Sequence, residues 1–503
     1  MAAYFMGIDL GTSSVRAFVI DFDQNRTAVA GEGYDVQIPQ LGYAEQDPQL
    51  WYEKATAVIR RVLSESGIDP REIVAVSFSG QMHGLVALDE ADRPVMNVPL
   101  WLDQRCADDL KDIYAILGED FARENLQNRI GTGFLMSSLY WMKVHQPALY
   151  TRTARVMLPK DYIKFRLSGR ITTDFSDASG SLALDNVRMC WSEKVLNALG
   201  LNEDIFPQCL PSTAVIGTIC AEAARDTGLW EGTLVVNGGA DQCMQAIGNA
   251  AVGEGVFASN IGTSSLITTA ARQPLYDPRL RTNTFAHALP GCWSVMAACL
   301  NGGSVLKWLS RKIFDGLDYE EINRMVEARP CGATGLFFLP YMAGERTPHM
   351  DPKARGVFFG LTLDHGRGDM ARALMEGIVY GLKDGMGVLE EIGIPCRRIV
   401  AAGGGARSDV WLQMQADIFE KDVYRSASKE QACLGAAITA AVGAGVFRNF
   451  DEACDRCVEP AAGVFHPKEE NVRLYRELYP IFRSLYTANR TNFESISRVY
   501  QVE

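Results

Sequence analysis

Two apolar runs, Phe5–Leu10 and Val15–Ile20, flank the polar tetrapeptide Gly11-Thr12-Ser13-Ser14. Small residues with backbone freedom between two strand-like runs predict a β-hairpin with a hydroxyl-rich tip. The pattern returns in Ser259-Asn-Ile-Gly-Thr-Ser-Ser-Leu-Ile-Thr-Thr269, where Gly262 follows Gly11 by 251 residues, half of the 503-residue chain. A repeat at that distance predicts two similar halves, 1–252 and 253–503, each aiming its hairpin tip at a shared cleft.

Between the hairpins the periodicity alternates. Asp47–Gly67 carries Leu50, Trp51, Ala55, Val58, Ile59 and Leu63 at helical spacing, framed by Pro48 and Gly67. Glu32–Ile38 and Ile73–Phe78 read as strands, so the chain predicts an α/β sheet with ligands at the carboxyl ends of its strands, where Gln81, Met82 and His83 stand. Thr233–Ala240 reads as a strand ending on Gly238 and Gly239, and Asp241 then opens the helix Gln242–Asn249. Asp241 fits that place equally as a helix N-cap or as a general base. Met370, Leu374, Ile378, Leu382, Met386 and Leu389 line one face of a long helix over Gly368–Leu389. Arg398–Ala402 then leads into Gly403-Gly404-Gly405, with Asp409 as the expected N-cap of Val410–Glu420, and small-residue helix Ala432–Gly445 expected to pack behind the glycine loop.

Composition narrows the class. At 47% hydrophobic and 22% charged, with a net charge of −12 and no basic stripe, the chain reads as globular and as no nucleic-acid binder. No apolar run approaches the roughly 20 residues that span a membrane, and the expected compartment is the cytoplasm. Most of the 12 cysteines lie singly in apolar segments, as buried thiols do, and Cys454 and Cys457 read as helix neighbours one turn apart.

Asp9 is the residue that strand chemistry does not explain. A carboxylate between Ile8 and Leu10 costs several kcal/mol unless something compensates it. A hydrated Mg²⁺ would do so while the Gly11–Ser14 tip held phosphate oxygens. In Trp101-Leu-Asp-Gln-Arg105, alternation on an extended segment would set Asp103 and Arg105 on one side, either as a surface ion pair or as hydrogen-bonding groups for a polyhydroxylated molecule. The Gly-Lys dipeptide of a P-loop is absent.

With these segments in place, the chain resembles the FGGY family of carbohydrate kinases, within the actin-like and sugar-kinase ATPase superfamily. The likeness runs from Met6 to about Gly445 through Gly7–Ser14, Gly80-Gln-Met-His-Gly84, Leu158-Pro-Lys-Asp-Tyr162, Asp174–Gly180, Gly238–Asp241, Ile261–Ser264, His287–Pro290, Leu339–His349, Gly356–Thr362 and Gly403–Ser408. The resemblance implies two ribonuclease-H-like α/β domains around a central cleft. It implies ATP and Mg²⁺ as cofactors and a small-molecule sugar as the other ligand. The Gln-Met-His-Gly and Gly-Glu-Arg-Thr-Pro-His segments point to the branch that phosphorylates the terminal hydroxyl of D-xylulose. Another ketose, a polyol or gluconate is the alternative within the family; a non-transferring ATPase or a sugar-sensing pseudokinase is the alternative outside it. By the same resemblance Asp241 would be the base and Asp9 would face Mg²⁺. Gln81, Met82, His83, Trp101, Asp103, Arg105 and Asp241 would line the sugar site. Gly11, Thr12, Ser13 and Ser14 with Gly262 and Thr263 would hold phosphates, and Gly403, Gly404, Gly405 and Ala406 the adenosine. A homodimer is left open. The pattern departs from the family at Leu102, where asparagine is usual, and at Ala240 and Gln242 around the base.

Overall fold

The structure, a computed structural model, describes residues 3–458 and 463–500. The predicted first hairpin forms as β1 (Tyr4–Leu10) and β2 (Ser14–Asp21), in register from Leu10 opposite Val15 to Tyr4 opposite Asp21. A third antiparallel strand, β3, runs over Arg26–Gly33, earlier than the Glu32–Ile38 expected from sequence. The reason is local: Asp21 Oδ1 accepts from the N–H groups of Asp23 and Gln24, which folds the chain back at once. Helix α1 (Pro48–Ser66) keeps its predicted frame, since Asp47 accepts from Gln49 N and Gly67 closes the helix at φ +67°. Strand β4 (Ile73–Gly80) then lies parallel to β1 on its other side.

Helices α2 (Pro159–Ser168) and α3 (Phe175–Gly180) follow, with the antiparallel pair β5 (Val215–Thr218) and β6 (Leu234–Val236) completing the sheet order β5-β6-β4-β1-β2-β3. Gly239 and Ala240 extend along β4, which delivers Asp241 at the carboxyl end of the sheet as the first residue of α4 (Asp241–Gly248).

The second sheet repeats this plan. Strands β7 (Val256–Ile261) and β8 (Ser265–Ala271) form the second hairpin, and β9 (Asn283–Ala286) and β10 (Trp293–Cys299) continue the antiparallel side. The long helix α5 (Arg367–Glu391) packs across it. Strand β11 (Arg398–Ala402) runs parallel to β7, α6 (Asp409–Phe419) follows it, and β12 (Val423–Arg425) lies parallel to β11. In both sheets, therefore, the hairpin strand is flanked by an antiparallel neighbour and a parallel one, the symmetry the repeat predicted.

Helix α7 (Gln431–Gly443) departs from expectation. Rather than sitting behind the glycine loop, it crosses α4 and packs on β1 and β4 of the first sheet. Glycines set this approach. A Cβ on Gly435 would lie 1.9 Å from Met244 O, one on Gly248 the same distance from Gln431 O, and one on Gly7 the same distance from Cys433 O. Helix α8 (Phe450–Cys457) joins the same core and carries Cys454 and Cys457 as free thiols one turn apart. Strand β13 (Val464–Phe465) and the closing helix α9 (Glu469–Tyr500) belong to the second half. No helix among the described residues is long and apolar enough to cross a membrane.

Candidate active site

The two hairpin tips are closed by their own backbones. Gly11 N donates to Ser14 O at 2.9 Å, and Gly262 N donates to Ser264 O at the same distance. The carbonyls of the first tip are also engaged: Tyr34 Oη donates to Gly11 O, Tyr34 N to Ser13 O, and Gln46 Nε2 to Thr12 O. The N–H groups of Thr12 and Ser13, and likewise of Thr263 and Ser264, meet no protein acceptor among the described residues. Two turns with spare donors are what anionic oxygens require.

Asp9 leaves the end of β1, directly opposite Arg16 in the hairpin. Its Oδ1 accepts from Ser79 Oγ at 2.7 Å, and burial raises its pKa, with Ser79 and Arg16 opposing. Arg16 is occupied by Glu430, at 2.6 Å, so it does not neutralise Asp9 by direct contact.

Of the two readings that sequence left open for Asp241, the N-cap does not hold. Ala240 holds the N-cap position, Asp241 is the first helical residue, and no side-chain cap bond forms. Its Oδ1 is buried with no hydrogen-bond partner. Burial, with the nearby charge of Asp9, pushes its pKa up to about 7, against the Gln242 N–H and side chain. A carboxyl poised near neutrality is suited to accept a proton at working pH. The two carboxylates also fit a divalent cation. Asp9 and Asp241 are part-buried hard ligands, one with an orphan oxygen, and their mutual repulsion is what a bound cation relieves.

The Gln81–His83 segment follows β4. His83 takes a left-handed backbone at φ +77°, with Nδ1 2.6 Å from Gly180 O and its ring 4.4 Å from that of Phe134. Burial lowers its pKa to about 4, so at neutral pH Nδ1–H donates to Gly180 and Nε2 is left as an acceptor. Met82 is buried; a Cβ on Gly180 would lie 2.9 Å from Met82 Cε. Gln81 Nε2 donates to Gln46 Oε1, which ties this segment to the first hairpin tip, and Trp101 Nε1 donates to Thr12 Oγ1 at 3.0 Å.

Asp103 and Arg105 correct the sequence reading. They lie in turns, and they form neither a surface pair nor free sugar-binding groups. Asp103 accepts four bonds, from Ala44 N and from Arg105 N, Nε and Nη2, which fills a carboxylate's capacity. Arg105 also reaches Glu45 at 2.7 Å and stacks 4.0 Å from the Tyr43 ring centroid. Both side chains are buried and hold the loop that presents Trp101 and Leu102, each 41% exposed.

On the other side, Gly403 has φ +76° and a Cβ there would meet Asn260 Oδ1 at 2.3 Å, while one on Gly405 would meet Ile261 Cβ at 2.8 Å. The Gly403–Ala406 turn is thus seated on the end of β7, with Gly403 and Gly404 exposed. Ser408, not Asp409, caps α6 by accepting from Trp411 N; Asp409 pairs with Arg425. Sequence reasoning missed Tyr34 and Gln46, which brace the first tip from distant positions, and Arg346, which makes no side-chain hydrogen bond or ion pair among the described residues yet lowers His83 by its charge. The Gly-Glu-Arg-Thr-Pro turn was the available signal for Arg346.

Comparison with known proteins gives the family and the fold. The N-terminal domain of the FGGY family of carbohydrate kinases matches residues 4–248, and its C-terminal domain residues 257–444. The xylulose kinase of Bacillus subtilis is 36% identical over 484 residues, covering 96% of this chain and 97% of its own. Ligand-bound xylulose kinase from Lactobacillus acidophilus superposes with a TM-score of 0.92 at 26% identity, covering 98% of this chain and all of its own. Gluconate kinase from the same organism superposes equally well, at 0.92 and 27% identity, covering 99% of this chain and 100% of its own. The protein belongs to the FGGY family of carbohydrate kinases, and its fold is the two-domain α/β fold of the sugar-kinase ATPases.

Proposed function

We propose that this kinase transfers the γ-phosphoryl group of ATP to the terminal hydroxyl of a ketopentose, D-xylulose first, giving D-xylulose 5-phosphate. The observation that carries the reading is the buried, unpartnered Oδ1 of Asp241, held near neutral pKa at the end of the first sheet. Asp241 takes the hydroxyl proton as the sugar oxygen bonds to the γ-phosphorus and the bond to the β-bridging oxygen breaks, releasing ADP. His83 Nε2 accepts from a sugar hydroxyl, and Met82 packs against the carbon chain. The spare N–H groups at Thr12, Ser13, Thr263 and Ser264 hold phosphate oxygens, while Gly403–Ala406 offers an open backbone surface to adenosine. Asp9, with Asp241, would hold a hydrated Mg²⁺, which when bound supplies charge neutralisation for the phosphates. Residues 1–252 are assigned the sugar and the base, 253–503 the nucleoside, with α7 and α8 returning to the first half.

D-xylulose is favoured by the names of the relatives similar along the whole chain. Gluconate or another polyol is the second reading. It is favoured by half-exposed Leu102 beside Trp101, where an apolar group replaces a hydrogen-bonding one, and by a structural superposition on a gluconate kinase as good as that on a xylulose kinase. The test of mechanism is Asp241→Asn. Sugar-dependent ADP formation is expected to fall about 10²–10⁴-fold with ATP binding retained, whereas near-normal turnover refutes the base.

A further inference from the structure

Beneath the site lies a wholly buried charged cluster that the reaction does not use. Lys160 Nζ is 2.6 Å from Asp161 Oδ1, 2.6 Å from Asp174 Oδ2 and 3.0 Å from Asp177 Oδ2. Lys164 Nζ is 2.8 Å from Asp161 Oδ1. The three aspartates converge as metal ligands do, but the Lys160 ammonium takes the place of a cation. Such a cluster is costly to bury, and breaking it by removing one partner is more costly still.

What it touches points to a role. Asp174 caps α3, accepting from Ser176 N, Asp177 N and the Ser176 hydroxyl. Ser176 Oγ in turn accepts from Ala240 N at 2.9 Å, the residue before Asp241. At the opposite end of this six-residue helix, Gly180 O holds His83 Nδ1. Lys164 meanwhile donates to Asn237 Oδ1 at 2.5 Å, four positions before Asp241, and Asn237 Nδ2 is bound to Thr173 O at 3.0 Å. One short helix therefore grips the backbone leading to Asp241 with its first turn and the sugar-facing histidine with its last.

We propose that α3, anchored by the Lys160–Asp174 ion pair, is the spacer that fixes Asp241 relative to His83, and that Ser176 is a positioning residue for the base. This rests on the reading of Asp241 given above. A misplacement of about 1 Å can cost on the order of 10²-fold in rate, so a rigid link between base and substrate contact has a direct kinetic consequence. Ser176 is fully buried, and the Gly180–His83 bond is made by the Gly180 backbone carbonyl, not by the Ser176 side chain.

Steady-state kinetics of full-length Ser176→Ala, measured with the preferred sugar, provide the test. The expected result is a kcat lowered about 10–100-fold, with KM for sugar and for ATP within about threefold of wild type. The same substitution added to Asp241→Asn is expected to leave the residual rate unchanged, because the group it positions is gone. An equal loss in both backgrounds, an unaltered kcat, or an effect on KM alone overturns the proposal while the base stands. Near-normal turnover in Asp241→Asn alone overturns the base itself. Should Ser176→Ala not fold, Ser176→Cys keeps the side-chain volume and replaces the hydroxyl by a weak donor and acceptor. The same kcat-selective loss then supports the spacer, and an unchanged kcat refutes it.

Discussion

Replacing Asp241 by asparagine should stabilise the protein as it disables it. The Asp241 carboxyl stands at about 7 instead of 3.8 because of burial and the charge of Asp9. The folded state thus binds this proton more tightly than the unfolded chain. The carboxyl's favourable share is complete below 3.8 and is lost as pH rises through about 7. At pH 8 the difference amounts to about 4 kcal/mol as an upper bound. Asparagine removes the charge but leaves a buried amide to satisfy, so a gain of about 1–2 kcal/mol is expected. For a domain of this size that is a rise of about 2–6 °C in Tm. At pH 5 only the interval above 3.8 still acts, and the gain should shrink by more than half. The assay is thermal unfolding of both proteins at pH 8 and pH 5, in EDTA and without nucleotide. A variant no more stable at pH 8, or one equally stabilised at both pH values, refutes the argument that burial and Asp9 hold this carboxyl up.

Three further outcomes follow from the same geometry. The pH profile of kcat/KM for the sugar should show an acid limb below about 7 rising to a plateau, because the base works deprotonated and a cation bound beside it lowers the metal-free value; a flat profile between pH 4.5 and 8 would count against it. Gly435→Ala should destabilise by about 1–3 kcal/mol or more, since the added methyl would lie 1.9 Å from Met244 O and force α7 from α4. Chemical denaturation measures this, and an unchanged midpoint would contradict the crossing described. Leu102→Asn should alter the ranking of sugars by kcat/KM, and an identical ranking removes position 102 from substrate choice.

The parts legible in the sequence were those decided over short distances. Both hairpins were readable because a Gly-Thr-Ser-Ser tip between apolar runs closes on its own backbone, and α1 because Asp47 and Gly67 are local caps. Asp9 stood out by being a carboxylate in a strand. Other features depended on partners that no local pattern names. The small residues of α7 encode a close approach without saying to what, and its partners lie as far back as Gly7. The alternation of Asp103 and Arg105 suggested either a surface ion pair or free groups, whereas they pair with each other in a buried set that Glu45, Ala44 and Tyr43 close. Asp174 caps a helix over a distance of two and three residues, a local bond. That Ser176, which donates to this cap, also reaches Ala240, 64 residues later, is visible only in three dimensions.

The central claim is a sugar-dependent phosphoryl transfer that runs through Asp241. It is tested most directly by ADP release from Mg-ATP with D-xylulose, L-xylulose, D-ribulose, L-ribulose, fructose, glycerol, erythritol and gluconate, with Asp241→Asn assayed beside the wild type. The account predicts one strong response, to D-xylulose, that the variant loses. ADP release independent of sugar, or a response that survives in Asp241→Asn, would contradict it.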